Sequence, residues 1–225
     1  MTSSETPPEH QYSLPNQQWW DNCHHKDADE RHQWMLTGSF GPEVWKRLNI
    51  ETLLKPGAKV LNIGVGKGLC TKALVDLGCK VSALDISTHA LDKVQTICER
   101  TYLHSQLPEM PKNYFDVAIS HLVTQHISNA ALLEQLRGVI AALTPQGIFG
   151  MQFLYYLGDK RFWLADDSVK EQNGGGVGRS LGMMEQLVYQ AGGELIQATH
   201  LGTYPHYNVG WYSIQITKRQ DPPRK

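Results

Sequence analysis

Three glycines at alternate positions, Gly64, Gly66 and Gly68, follow the short run Val60-Leu61-Asn62-Ile63 and lead into a helical pattern. The run reads as a buried parallel strand, so the chain is turned sharply where it ends. Glycine allows positive φ and lets a ligand press against the backbone, while the following helix opens with unpaired N–H groups facing the same spot. That arrangement suits a nucleotide-type cofactor. Asp85, about 20 residues past the glycines, closes a second strand, where a carboxylate can accept from ribose hydroxyls. Ser87 can cap the next helix, so Asp85 is not needed for that task.

The second chemically capable group is histidine, with 10 in 225 residues. They are scattered rather than spaced as a metal motif, and no metal is expected. A side chain that titrates near neutrality can take a proton from an attacking group. His121 lies just past a fourth buried strand, Val117-Ala118-Ile119, which opens at Ser120. Ligands of open parallel sheets collect beyond the carboxyl ends of the strands, which makes His121 the first candidate base. His24, His25, His126, His200 and His206 are the others, and His126 is expected to serve packing. Asp116, at the opposite end of that strand, reads as structural.

The remaining elements must position these groups. Residues 1–16 hold three prolines and few apolar residues and are expected to be mobile. Residues 17–55 read as a helical extension: one helix near Trp19, Trp20 and Cys23 through Leu36, stopped by Gly38, and another from Pro42 carrying Val44, Trp45 and Leu48. The tryptophans fit packing better than substrate contact. After the glycines come a helix from Thr71 to Leu77, a strand from Cys79 to Leu84, a helix from about His89 to Arg100, and a weak third strand from Thr101 to Gln106. Next are the fourth strand, a helix capped by Ser128 or Asn129, and a fifth strand from Ile148 to Tyr155. Residues 156–180, with Arg161, Phe162, Trp163 and a glycine run, read as a loop or lid. Ser180 caps a helix over Leu181–Gln190, and two strands close the fold, Glu194 to His200 and Trp211 to Lys218. One domain over residues 17–220 is expected.

Composition narrows the partners. A net charge of -1 gives no general attraction to nucleic acid or anionic membrane. Four cysteines without Cys-x-x-Cys spacing, together with no apolar run of bilayer length, lead us to expect reduced thiols in a cytoplasmic protein. A small-molecule partner and a monomer or homodimer are expected.

Four stretches in register resemble the class I S-adenosylmethionine-dependent methyltransferases: Val60 to Gly68, Ala83 to Ser87, Phe115 to Ser120 with Gln125-His126-Ile127, and Leu143 to Gly147. The resemblance covers roughly residues 40 to 155. Glycine-rich turns also serve dinucleotides, but a dinucleotide enzyme more often places its third glycine one residue later. The resemblance implies an α/β, Rossmann-like sheet of seven strands, mostly parallel with the last antiparallel, and helices on both faces. It implies S-adenosylmethionine as cofactor and S-adenosylhomocysteine as product. It places Asn62, Gly64, Gly66, Gly68, Asp85, Ile86 and Ser120 in the cofactor site, with Ser105 or Gln106 toward the adenine. Asn62 stands where the family usually has an acid, and retains an acceptor without the charge.

The expected activity is O-methylation of a small molecule, a sugar or secondary-metabolite intermediate, with His121, His24 or His25 as base. An amine acceptor is the alternative. Further rivals are a cofactor-binding protein of the same fold without transfer activity and, disfavoured by the glycine spacing, a nicotinamide oxidoreductase.

Overall fold

The structure, a computed structural model, describes residues 14–25, 40–157, 177–204 and 209–220. Outside them lie residues 1–13, the expected helix from Ala28 to Leu36, Arg161, Phe162, Trp163 and most of the expected loop, residues 205–208 with His206, and the tail. The side chains of residues 14–16, Trp19 and His25 also lie outside the description.

The described elements are α1 (Leu14–His25), α2 (Pro42–Arg47), β1 (Lys59–Ile63), α3 (Leu69–Asp76), β2 (Lys80–Asp85), α4 (Thr88–Asp92), β3 (Arg100–Leu103), β4 (Phe115–Ser120), α5 (Asn129–Ala142), β5 (Leu143–Tyr156), α6 (Leu181–Gln190), β6 (Gly193–Tyr204) and β7 (Val209–Lys218). The seven strands form one sheet in the order β3-β2-β1-β4-β5-β7-β6. Neighbours from β3 to β5 pair in parallel, while β7 runs antiparallel to both β5 and β6. This is the Rossmann-like sheet that the motifs imply.

The central strands are apolar on both faces because helices cover both. Leu61, Ala118, Phe149 and Ile214 join the core under α5 and α6. Val60, Val117 and Ile119 meet Val44, Trp45 and Leu74 of α2 and α3 on the other face. Alternation along β1 therefore turns Asn62 toward α3, one residue short of the glycine turn.

Several expected boundaries shift. The helix expected over residues 89–100 contracts to α4, because the chain breaks into turns after Asp92 before β3 begins at Arg100. β3 ends at Leu103, and His104–Glu109 winds into a 3-10 turn with Pro108 inside it. β5 and β6 extend further than their apolar cores, since long antiparallel pairing with β7 carries them to Tyr156 and Tyr204. All three expected serine caps form: the Ser87 hydroxyl accepts from the Ala90 N–H at 3.2 Å, the Ser128 hydroxyl from the Ala131 N–H at 3.1 Å and the Ser180 hydroxyl from the Met183 N–H at 3.1 Å.

Candidate functional site

A cavity opens at the carboxyl ends of β1, β2 and β4, lined on one side by Asn62, Gly64, Gly66, Asp85 and Ile86. The glycine turn is left-handed at Gly64 (φ 71) and Gly66 (φ 53). Space as well as dihedral requires Gly64, because a β-carbon there would run into Val123 of the loop after β4. Gly68 does a different job. It caps α3 in the left-handed conformation and lies outside the cavity lining, where a β-carbon would stand 2.7 Å from Val94.

Asn62 is held by a buried bond in which its Nδ2 donates to the Thr71 hydroxyl of α3 at 2.8 Å. The carboxamide oxygen is thereby freed from that contact as an acceptor. Asp85 accepts from the Ser87 N–H at 2.9 Å and from the Gly66 N–H at 3.4 Å, tying the end of β2 to the turn. Burial pushes its carboxyl up to about 6, against these backbone donors, which favour the ionised form. It is ionised at neutral pH.

The opposite wall comes from α1 and the loop after β4. Asp21 accepts from the Ser87 hydroxyl at 2.7 Å, and Lys93 donates to the His24 carbonyl at 2.7 Å, so α1 docks on α4 and its neighbouring turn. That docking brings Trp20 and His24 into the cavity lining. The Trp20 ring stacks on His24 with centroids 5.7 Å apart and meets His126 edge-on at 5.0 Å.

The loop after β4 supplies His121, Leu122, Val123 and His126 to the lining. Leu122 has φ 58, unusual for a branched side chain and a sign of a backbone held by its surroundings. Two side chains hold it. The Gln125 amide donates to the Leu122 carbonyl at 2.8 Å and lies 3.1 Å from His126 Nε2. Arg179, fully buried before α6, donates from Nε to Asn129 at 2.7 Å, from Nη1 to the Thr124 carbonyl at 2.6 Å and from Nη2 to the Ile127 carbonyl. Its fork suits two diverging carbonyls. The 177–180 segment is also tied by backbone bonds, from Val177 to the Gln125 carbonyl and from Arg179 to the Leu154 carbonyl.

Burial drives both loop imidazoles down to about 4, with the Arg47 charge adding to the effect at His121. Both are neutral at pH 7. His121 lines the cavity, and its Nε2 is buried and makes no hydrogen bond.

The structure thus gathers Asn62, Gly64, Gly66, Asp85, Ile86, His24 and His121 around one cavity. Several expected residues fall elsewhere. Ser105 is exposed, and Gln106 accepts from the Leu103 N–H at 2.8 Å as part of its own turn. Both lie outside the lining because the chain after β3 winds into a 3-10 turn, and that turn presents His104 instead. Ser120 is fully buried behind the lining. His200 pairs with the Tyr155 hydroxyl at 2.7 Å on β6 and β5, outside the lining. Asp116 accepts from the Lys59 N–H at the far end of the sheet.

Sequence reasoning missed Gln135 of α5, whose buried Nε2 has no partner although the residue lines the cavity, and it missed Arg179. Neither sits in a motif. His126, expected to serve packing, does pack edge-on against Trp20 and also lines the cavity. Among the described residues no three His, Cys, Asp or Glu side chains cluster as a metal site requires, and none of the four cysteines is in a disulfide.

Residues 60–147 match a family described as methyltransferase domain. The matched span is less than half of the chain. An uncharacterised methyltransferase of Synechocystis sp. is 30% identical over 127 residues, 55% of this chain and 60% of that protein. The chain therefore spans less than two thirds of this relative's length. Among solved structures, the 1,6-didemethyltoxoflavin N1-methyltransferase of Burkholderia thailandensis, bound to 1,6-didemethyltoxoflavin and S-adenosylhomocysteine, superposes with TM-score 0.67 at 18% identity. That alignment covers 97% of this chain and 94% of the other. Phosphoethanolamine N-methyltransferase 2 of Haemonchus contortus, with phosphomonomethylethanolamine and S-adenosylhomocysteine, gives TM-score 0.65 at 18% identity over 91% of this chain and 61% of that one. At such identities the likeness concerns the fold. The matched span includes the glycine turn, Asp85 and His121, while α1 and Arg179 lie outside it.

Proposed function

We propose that this chain is an S-adenosylmethionine-dependent methyltransferase of a small organic molecule. The observation that carries the reading is a single cavity with the Gly64–Gly66 turn and Asp85 on one wall and the unpartnered His121 Nε2 on another. The side chains suit the cofactor. Asn62 would accept from the methionine ammonium, Asp85 would accept from the ribose hydroxyls, and Gly64 and Gly66 let the ligand approach the backbone. The cofactor supplies an electrophilic methyl group already activated on sulfonium sulfur. The protein aligns the acceptor, keeps water out and receives the acceptor's proton. His121 is the proposed base: a neutral imidazole facing the cavity. His24, against Gly66, is the second candidate.

The acceptor chemistry we favour is O-methylation of a hydroxyl. N-methylation is the second reading, and the names of the two structural neighbours, both N-methyltransferases, favour it. Calorimetry with S-adenosylmethionine, S-adenosylhomocysteine and NAD tests the assignment. We expect saturable binding of both sulfur ligands and none of NAD. Binding of NAD alone would establish a nicotinamide site instead.

A further inference from the structure

The ring-bearing wall of the cavity has a chemical character of its own. Its wall is built of rings: Trp20 stacked on His24, His126 edge-on to Trp20, and Phe40, which is half exposed. Among the described lining residues the charged side chains are Lys67 and Asp85, both at the cofactor wall. Neither a carboxylate to hold an ammonium nor a cluster of cationic side chains to hold a phosphate faces the rings within that lining. The ring faces themselves offer a polyol none of the hydrogen bonds that it makes to water. A flat ring loses little on entering such a space, because ring faces and edges are what the wall offers.

Resting on the methyltransferase reading above, we infer that the acceptor is a flat, uncharged aromatic or heteroaromatic ring carrying an acidic O–H or N–H, seated against Trp20 with that group toward His121 Nε2. The step balances without a co-reactant. The ring heteroatom bonds to the methyl carbon, and the carbon–sulfur bond breaks with its electron pair remaining on sulfur. The O–H or N–H proton passes to His121 Nε2 and leaves to solvent.

The basicity of His121 supports the same class. With its pKa near 4, an ordinary phenol at about 10 lies some six powers of ten away in proton affinity, whereas an unactivated hydroxyl resembling water, at about 15.7, lies near twelve. A sugar hydroxyl is therefore the poorer match, which narrows the acceptor within the methyltransferase reading.

The test is titration calorimetry on the full chain saturated with S-adenosylhomocysteine. The probes are lumazine and 8-hydroxyquinoline as flat acidic rings, with glucose and ethanolamine for the competing classes. At least one flat probe is expected to bind saturably and at least tenfold more tightly than either competitor. Trp20→Ala should weaken the flat probe at least tenfold more than it weakens S-adenosylhomocysteine, while Tyr189→Ala, on the exposed face of α6, changes neither. Tighter binding of glucose or ethanolamine, flat-probe binding indifferent to Trp20→Ala, or no flat probe binding at millimolar concentration would each overturn the inference. Failure of S-adenosylhomocysteine itself to bind would strike the methyltransferase reading instead, so the two outcomes are distinct.

Discussion

Asn62 Nδ2 donates to Thr71 Oγ1 across 2.8 Å in the buried space between β1 and α3. The bond fixes which end of the carboxamide is committed to the protein and so which end can accept from a ligand. Replacing Thr71 with Val, nearly its isostere, removes the acceptor and leaves the amide unpaired or rotated. We expect S-adenosylhomocysteine affinity to fall roughly tenfold, about 1.4 kcal/mol, with the fold intact. Calorimetry on Thr71→Val beside circular dichroism checks it, and an unchanged affinity would show that Asn62 needs no orienting partner.

Gly64 answers to two constraints at once. Gly64→Ala places an L side chain at φ 71, costing about 1–2 kcal/mol, and adds the collision with Val123. Thermal unfolding should show the single variant destabilised and Gly64→Ala/Val123→Ala partly restored, because trimming Val123 relieves the collision but not the dihedral. Equal melting of the single and double variants would argue against the contact.

Acid stability should follow the two partly buried imidazoles, His121 and His126. Each has a folded pKa near 4 against an ordinary 6.5, so the unfolded chain binds protons first and stability falls as pH drops from 6.5 to 4, by roughly 3 kcal/mol per ring. Asp85 acts oppositely. Its folded pKa near 6, above the ordinary 3.8, adds back roughly 3 kcal/mol over much of the same interval. A net loss of about 3 kcal/mol remains for these three groups. Denaturant titrations at pH 6.5 and 4 should show it, and His126→Gln should flatten the dependence. A slope unaffected by His126→Gln would mean that this ring is not kept neutral by burial.

Arg179 clasps the loop that presents His121 and His126. Arg179→Ala leaves two carbonyls and Asn129 without these donors in a buried site, a loss on the order of 3–5 kcal/mol. Arg179→Lys should recover little, since an ammonium cannot span the diverging carbonyls. Chemical denaturation measures both. Full recovery by Lys would reduce the role of Arg179 to its charge.

The fold was legible because its signals are local. Val60–Ile63 followed by spaced glycines, Asp85 at a strand end, and Ser128 and Ser180 as caps each carry a physical reason within a few residues. The adenine end was expected at Ser105 and Gln106, which lie outside the cavity lining because the 3-10 turn His104–Glu109 presents His104 there, and Gly68, expected at the ligand, caps α3 beside Val94.

By itself the sequence determined the parallel sheet, the glycine turn, Asp85 and the candidate His121, since strand periodicity and backbone freedom are written in neighbouring residues. Only the tertiary structure decided that α1 brings Trp20 and His24 onto a ring wall with His126, that Asn62 is oriented by Thr71, and that Arg179 holds the loop after β4 from 50 or more positions away. Those relationships join residues far apart in sequence, and burial and hydrogen-bond partners exist only once the chain has closed around them.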